Sequence, residues 1–360
     1  MGLTEPFGGV YRGARVLITG HTGFKGSWLA RWLHRLGARV SGIGLEPATT
    51  PSHADLLDTP FEHDLRLDLR DAAGTARAVR ELAPEFVFHL AAQALVRRGY
   101  AEPVETYSTN VLGLVHLLEA VRTTPSVRVV VNATTDKVYE PQPSPSAHVE
   151  TDPLGGHDPY SASKACAELV SASYARSWLE AAGVRLATAR AGNVIGGGDW
   201  AEDRLVPDLV RAKTSGAPVE IRYPSAVRPW QHVLEPLSGY LMLAQALKEG
   251  RVPGGAWNFG PATDDSLPVS EIVGAFQAAW PELTVRSPAA RALHETAELR
   301  LDSTHAARTL GWRPTWASRR AIEATIAWYD DLAAGRPLRT DVDIDAHFRE
   351  AKRQGAAWAT

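Results

Sequence analysis

Through the first half of the chain, short runs of branched apolar residues alternate with longer segments whose apolar positions recur every three or four residues. Residues 15–19 (Arg-Val-Leu-Ile-Thr) are a nearly continuous apolar run, the pattern of a strand covered on both faces. In 27–36, Trp28, Leu29, Trp32, Leu33 and Leu36 share one helical face, and Gly37 supplies a stop. Residues 39–43 predict a second strand and 65–67 a short third one ending at Asp68, after which Asp71 can cap a helix. Residues 86–90 and 127–132 predict the fourth and fifth strands, with a helix over 104–123 between them. A long helix over 160–182 and a sixth strand over 184–189 follow. Strand and helix in strict alternation specify a parallel sheet with crossover helices.

After Asn193 the alternation stops. Gly196-Gly197-Gly198 and scattered prolines leave shorter segments, with helical patterns over 205–215, 236–248, 270–279 and 318–332. The expectation is an α/β chain: a Rossmann-type, doubly wound parallel sheet over 1–192, then a smaller, mainly substrate-binding domain over 193–360. That boundary is soft, since later segments can return to the first sheet. The Pro/Ser-rich stretch 141–146 reads as a surface loop.

Composition narrows the class without naming a reaction. An apolar share of 44% and a charged share of 22% are those of an ordinary globular protein. A formal charge of −3 without a long basic block argues against nucleic acid as a partner. No apolar run is long enough to span a bilayer, and residues 1–13 carry no signal-peptide pattern, so a cytoplasmic protein without a membrane partner is expected. The single cysteine, Cys166, excludes an intramolecular disulfide. No metal is expected.

Chemistry enters at the first strand–helix junction. Gly20-His21-Thr22-Gly23-Phe24-Lys25-Gly26 sits where a dinucleotide's pyrophosphate would meet a helix N-terminus. There glycines permit the tight turn, the close approach of phosphate and the packing of helix on strand. The G-x-x-G-x-x-G spacing departs from G-x-G-x-x-G and resembles that of the extended short-chain dehydrogenase/reductase superfamily. Glu46, just past the second strand, is the nearest acidic candidate for the adenosine ribose. No arginine cluster follows that strand to receive a 2′-phosphate, so NAD is favoured over NADP.

Tyr160 and Lys164 stand four residues apart, hence on one face of the predicted helix. An ammonium there is expected to lower the tyrosine pKa, so that a phenolate can take a hydroxyl proton while its carbon gives up hydride. Upstream, Thr135-Asp136-Lys137 follows the fifth strand, at the edge where parallel sheets present their sites. Oxidation alone needs only the hydroxyl of Thr135 with Tyr160 and Lys164. An added acid at Asp136 points to a second proton transfer, as in elimination of water.

These residues carry a family resemblance. The chain resembles the CDP-glucose 4,6-dehydratases in Gly20–Leu29 (G-H-T-G-F-K-G-S-W-L), H-L-A-A-Q from His89, T-N-V-L-G from Thr109 and T-T-D-K-V-Y from Thr134. The likeness continues in D-P-L-G-G-H-D-P-Y-S-A-S-K-A from Asp152, R-A-G-N-V-I-G-G-G-D-W-A-E-D-R-L from Arg190 and R-P-W-Q-H-V-L-E-P-L-S-G-Y from Arg228. The dTDP-glucose dehydratases resemble T-D-E where this chain has T-D-K, so Lys137 separates the two groups.

The resemblance implies tightly held NAD and conversion of CDP-glucose to CDP-4-keto-6-deoxyglucose. C4 is oxidised, water is lost across C5 and C6, and hydride returns to C6. It implies Tyr160 as base at the 4-hydroxyl with Lys164 beside it, Thr135 on that oxygen and Asp136 as acid for the departing 6-hydroxyl. Lys137 takes the place of the C5 base, directly or through water. It further implies cofactor contacts from Gly20, Thr22, Gly23, Phe24, Lys25, Gly26, Asp68 (at the adenine), Leu69, Leu90, Ala91, Ala92, Gln93, Thr109, Tyr160 and Lys164. Substrate contacts would come from Gln93, Thr135, Asn193, Arg204, Leu205 and Arg228. Arg228 suits the diphosphate, or else a structural salt bridge, while Trp230 and His232 can be packing residues. A homodimer or higher homo-oligomer through two helices per subunit is also implied.

The family pattern breaks after Glu140, where Pro141-Gln142-Pro143-Ser144-Pro145-Ser146 replaces an asparagine and an aromatic-rich segment. Three rivals stay open: a nucleotide-sugar 4-epimerase, a dehydratase of another nucleotide sugar, and a nucleotide-sugar binding protein without turnover.

Overall fold

The apolar runs assemble into a seven-stranded sheet in which every neighbouring pair is parallel. The computed structural model describes residues 5–141, 147–262, 265–286 and 300–360. In chain order the strands are β1 (Arg15–Thr19), β2 (Arg39–Gly44), β3 (His63–Arg66), β4 (Phe86–His89), β5 (Val129–Ala133), β6 (Arg185–Ala191) and β7 (Gly255–Phe259). Their order across the sheet is β7-β6-β5-β4-β1-β2-β3, so the winding reverses between β1 and β4. That reversal opens the crevice in which such sheets hold ligands.

Alternation along the strands sends Leu17, Val87, Val130 and Leu186 to one face and Val16, Ile18, Phe86, Phe88, Val129 and Val131 to the other. Helices Ala72–Leu82, Gly113–Arg122 and Pro159–Tyr174 cover the first face. Phe24–Arg35 and Leu234–Lys248 cover the second, with Trp28, Leu29, Trp32 and Leu33 buried as their spacing predicted.

Several elements differ from the sequence expectation. The third strand ends at Arg66, and Asp68 lies in the turn beyond it. The single helix expected over 104–123 contains a π-turn, Ser108–Leu112, between Pro103–Tyr107 and Gly113–Arg122. The long helix after Tyr160 becomes a second π-turn at Ala175–Leu179. Pro236 lies inside the first turn of Leu234–Lys248, where its missing N–H costs no helical bond. β7 belongs to the C-terminal half yet pairs with β6 in the main sheet. Of the loop expected over 141–146, residues 142–146 lie outside the described residues.

Candidate active site

The glycine loop is shaped by contacts that admit no side chain. Gly20 has φ +76°, and a β-carbon there would lie 2.6 Å from the Ala91 nitrogen. A β-carbon on Gly26 would lie 2.0 Å from the Gly20 carbonyl oxygen. Gly23 caps helix Phe24–Arg35 without a side-chain bond, so the first N–H groups of that helix remain for an oxyanion. Leu90 and Ala91 stand against Gly20 at the end of β4. The cradle thus has the close approach and the free N–H groups that a dinucleotide's pyrophosphate requires.

Around it, Asp68 accepts from the Arg70 backbone at 2.9 Å and from its guanidinium at 2.8 Å, which lowers its pKa. Leu69 is buried, and its carbonyl accepts from His116 at 2.8 Å. Glu46 is exposed and lies 3.2 Å from Arg66, which also meets Asp64. Thr22 and Phe24 are half-buried at the start of the loop's helix.

Lys25 points inward. Its ammonium donates to the Tyr240 hydroxyl at 3.1 Å, and burial beside Lys164 and Arg204 lowers its pKa to about 7. Ala92 precedes Gln93, whose side chain builds its own loop: the amide donates to Leu95 O and to Thr106 Oγ1, and its oxygen accepts from Leu95 N. Asn110, in the π-turn beside half-buried Thr109, exchanges bonds with the Gln93 backbone and donates to Ser163 on the catalytic helix at 2.8 Å. In the sequence that asparagine stands out only as part of T-N-V-L-G.

The order Asp158-Pro159-Tyr160 explains the placement of the phenol. Asp158 caps the helix by accepting from Ser161 N at 3.0 Å, Pro159 fits the first turn, and Tyr160 follows. Thr135 ends the extended run after β5, donates to Asp136 at 3.0 Å and lies near enough to Tyr160 to favour its phenolate. Lys164 donates to the Ala133 carbonyl at 3.0 Å, and its burial lowers its pKa to about 8.

One expectation is corrected here. Tyr160 is pushed up to about 12, because burial outweighs the opposing pull of Thr135 and Arg204. The ammonium of Lys164 is directed to the strand-end carbonyl instead.

Asp136 is 2% exposed, and its Oδ2 has no hydrogen-bond partner among the described residues. Burial raises its pKa against the opposing charges of Lys137, Arg228 and Lys25. Gly192 lies directly over it: a β-carbon there would come within 3.0 Å of Oδ2. Lys137 is half-buried on the 3₁₀ turn Asp136–Val138.

Arg204 lies 3.2 Å from Asp199 and precedes helix Leu205–Ser215, placing half-buried Leu205 beside it. Asn193 follows β6, and its carbonyl accepts from Gln231 N at 3.1 Å. Arg228 is buried, and its guanidinium donates to the Val227 carbonyl at 2.9 Å. Trp230 and His232 are buried packing groups: Trp230 donates to Leu267 O, and His232 meets Trp28 and Trp316 edge-on.

The glycine cradle, the buried Tyr160 and Lys164 and the buried acid Asp136 lie at the carboxyl ends of neighbouring strands of a Rossmann-type sheet. The chain belongs to the NAD dependent epimerase/dehydratase family, matching it over residues 16–260. It is 45% identical over 337 residues to the CDP-glucose 4,6-dehydratase of Salmonella typhimurium, covering 91% of this chain and 94% of that one. It is 31% identical to the dTDP-glucose 4,6-dehydratase of Streptomyces antibioticus, covering 90% and 95%. Among solved structures, DesIV, a dTDP-glucose 4,6-dehydratase from Streptomyces venezuelae with NAD and TYD bound, superposes with a TM-score of 0.75 at 25% identity, covering 89% and 98%.

Proposed function

We propose that this chain dehydrates CDP-glucose to CDP-4-keto-6-deoxyglucose. The observation that carries the reading is Asp136: a buried carboxyl with a free oxygen, beside Thr135 and Tyr160. Burial disfavours its anion and so favours the protonated form that an acid must start from. A 4-epimerase has no need of such a group.

The residues of the strand–loop–helix junction, Gly20 and Thr22 to Gly26, would hold the pyrophosphate, with Asp68, Leu69, Leu90, Ala91, Ala92 and Thr109 lining the rest of the NAD site. NAD, when bound, supplies a hydride acceptor for C4 and a hydride donor for C6. Tyr160 takes the proton of the 4-hydroxyl while Thr135 holds that oxygen, and Lys164 adds positive charge nearby. The 4-keto group makes the C5 proton acidic, and Lys137 is assigned to its removal, directly or through a water. Asp136 gives its proton to the departing 6-hydroxyl. Gln93, Asn193, Arg204, Leu205 and Arg228 are assigned to the substrate, with the two guanidiniums toward the diphosphate.

In this reading residues 1–192 hold the cofactor and most of 193–360 hold the sugar nucleotide, and the reaction runs in the cytoplasm. A homodimer is part of the proposal. Val104, Tyr107 and Leu169 are exposed on the paired helices Pro103–Tyr107 and Pro159–Tyr174, with Tyr100 and Trp178 beside them. Such an apolar face on two adjacent helices suits a second copy of itself.

The test is mass spectrometry of products from CDP-, dTDP-, UDP- and GDP-glucose. A product lighter by one water, formed fastest from CDP-glucose, is expected. Recovery of a C4 epimer at unchanged mass, or no turnover of any of the four, overturns the reading.

A further inference from the structure

Tyr160, Lys164 and Glu168 follow one another at single-turn spacing, so the carboxylate lies on the same helical stripe as the phenol and the ammonium. Glu168 is 5% exposed, and both of its carboxylate oxygens are hydrogen-bonded. Its Oε1 accepts from Thr134 Oγ1 at 2.6 Å and from Arg190 Nε at 2.9 Å. Its Oε2 accepts from Thr188 Oγ1 at 2.6 Å and from Arg190 Nη2 at 3.0 Å. Arg190, on β6 and 3% exposed, also donates through Nη1 to the Tyr139 hydroxyl at 2.8 Å, and its guanidinium lies 4.8 Å from the Tyr139 ring.

Thr134 and Tyr139 bracket the turn that carries Thr135, Asp136 and Lys137. The residue before the turn ends on the carboxylate and the residue after it ends on the guanidinium. One buried ion pair therefore ties both ends of that turn to the helix of Tyr160. The same arginine ties them to the strand leading to Gly192, the glycine that lies over Asp136.

Stability alone does not account for such a pair. Desolvating two charges costs much of what their attraction returns, and packed apolar side chains of similar volume hold a fold as well. A bidentate, fully bonded pair instead gives fixed direction and distance.

We infer that Glu168 and Arg190 are positioning residues that set where Thr135 and Asp136 stand relative to Tyr160. The inference rests on the dehydratase reading and deepens it. Elimination, which needs Asp136 in place after C4 oxidation, is the step most sensitive to the clamp.

The experiment uses the NAD-loaded enzyme mixed rapidly with CDP-glucose. Absorbance at 340 nm follows C4 oxidation, and product mass follows loss of water. Thr134→Val exchanges one hydroxyl for a methyl and leaves the ion pair intact, while Glu168→Gln removes its charge. Each variant should lose about 10- to 100-fold in kcat with KM for CDP-glucose within about threefold, since small misplacement of a reacting group has costs of that order. Each should also accumulate enzyme-bound NADH, because elimination slows more than oxidation.

If Glu168→Gln does not fold, Thr134→Val decides alone. Parent-like kcat and NADH level in Thr134→Val overturn the inference. So does a lower melting temperature with an unchanged ratio of oxidation to elimination per active enzyme. Should the parent turn over a different nucleotide sugar, the function reading fails, and the same ratio measured on that sugar still decides the clamp.

Discussion

Asp136 and Tyr160 are both buried, and burial acts on them in the same chemical sense, favouring the protonated form of each. For Asp136 that is the form an acid starts from. For Tyr160 it is the form that must be left, with Thr135 and Arg204 as the groups that favour leaving it. The two should therefore fail at different steps. In Tyr160→Phe, the 340 nm signal on mixing with CDP-glucose should disappear along with turnover. In Asp136→Asn that signal should persist while loss of water slows by about 10²- to 10⁴-fold, the usual range for losing a general acid. Equal slowing of both steps in Asp136→Asn removes it as the acid. The sequence made these residues legible because helical spacing and a strand end are local facts. The protonation state of Tyr160 was not legible. It depends on which carbonyl Lys164 reaches and on how much of the fold closes over the phenol, and neither is written in the spacing of the pair. Glu168 stands one turn past Lys164 and was just as visible, but its meaning required knowing that Arg190 lies opposite it across the helix–sheet interface.

The glycine loop shows how far element-level reading carries. Strand, loop and helix stand where the apolar periodicity and the stop at Gly37 placed them. The two π-turns were hidden, since an extra residue in one turn leaves the apolar face nearly continuous. The first of them presents Asn110, which joins the loop after β4 to the catalytic helix. The steric map of the glycine loop is strict enough to test. In Gly26→Ala, the added carbon meets the Gly20 carbonyl at 2.0 Å and forces strand and helix apart. That variant should purify without NAD, read from the ratio of absorbance at 260 and 280 nm, and melt several degrees below the parent. Full NAD occupancy in it would show that the loop does not hold the pyrophosphate.

Over the whole molecule, two features govern stability and assembly. Asp343, in the first turn of helix Thr340–Arg353, is fully buried with neither oxygen hydrogen-bonded among the described residues, and Arg339 lies 3.7 Å away. Burial pushes its carboxyl up to about 7. Between the ordinary carboxylate range and pH 7, the folded chain keeps a proton that the unfolded chain releases, so stability falls as pH rises through that window. Asp343→Asn should therefore melt higher than the parent at pH 8, with the gap closing near pH 4. Arg339 retains Asp331 at 3.3 Å in that variant. A gap of the same size at both pH values excludes Asp343 as its origin. For assembly, Val104→Glu with Leu169→Arg should convert a light-scattering mass of two chains to that of one, and a parent that already runs as a single chain refutes the proposed dimer. The sequence placed the sheet's first six strands and left open whether later segments rejoin it. β7 does rejoin it, pairing parallel with β6 and so satisfying the backbone groups on the β6 edge opposite β5.

That late return has a consequence for how the protein comes to be. As the chain leaves the ribosome, β1 to β6 can pair in turn, yet β6 keeps an open edge until everything from Gly192 to Phe259 has been synthesised. A nascent chain paused in that interval exposes an unpaired strand edge to its neighbours on the same message. Expression that is slowed between those residues should favour inclusion bodies, and a gene cut at the nominal border after residue 192 should yield a fragment that sticks to itself.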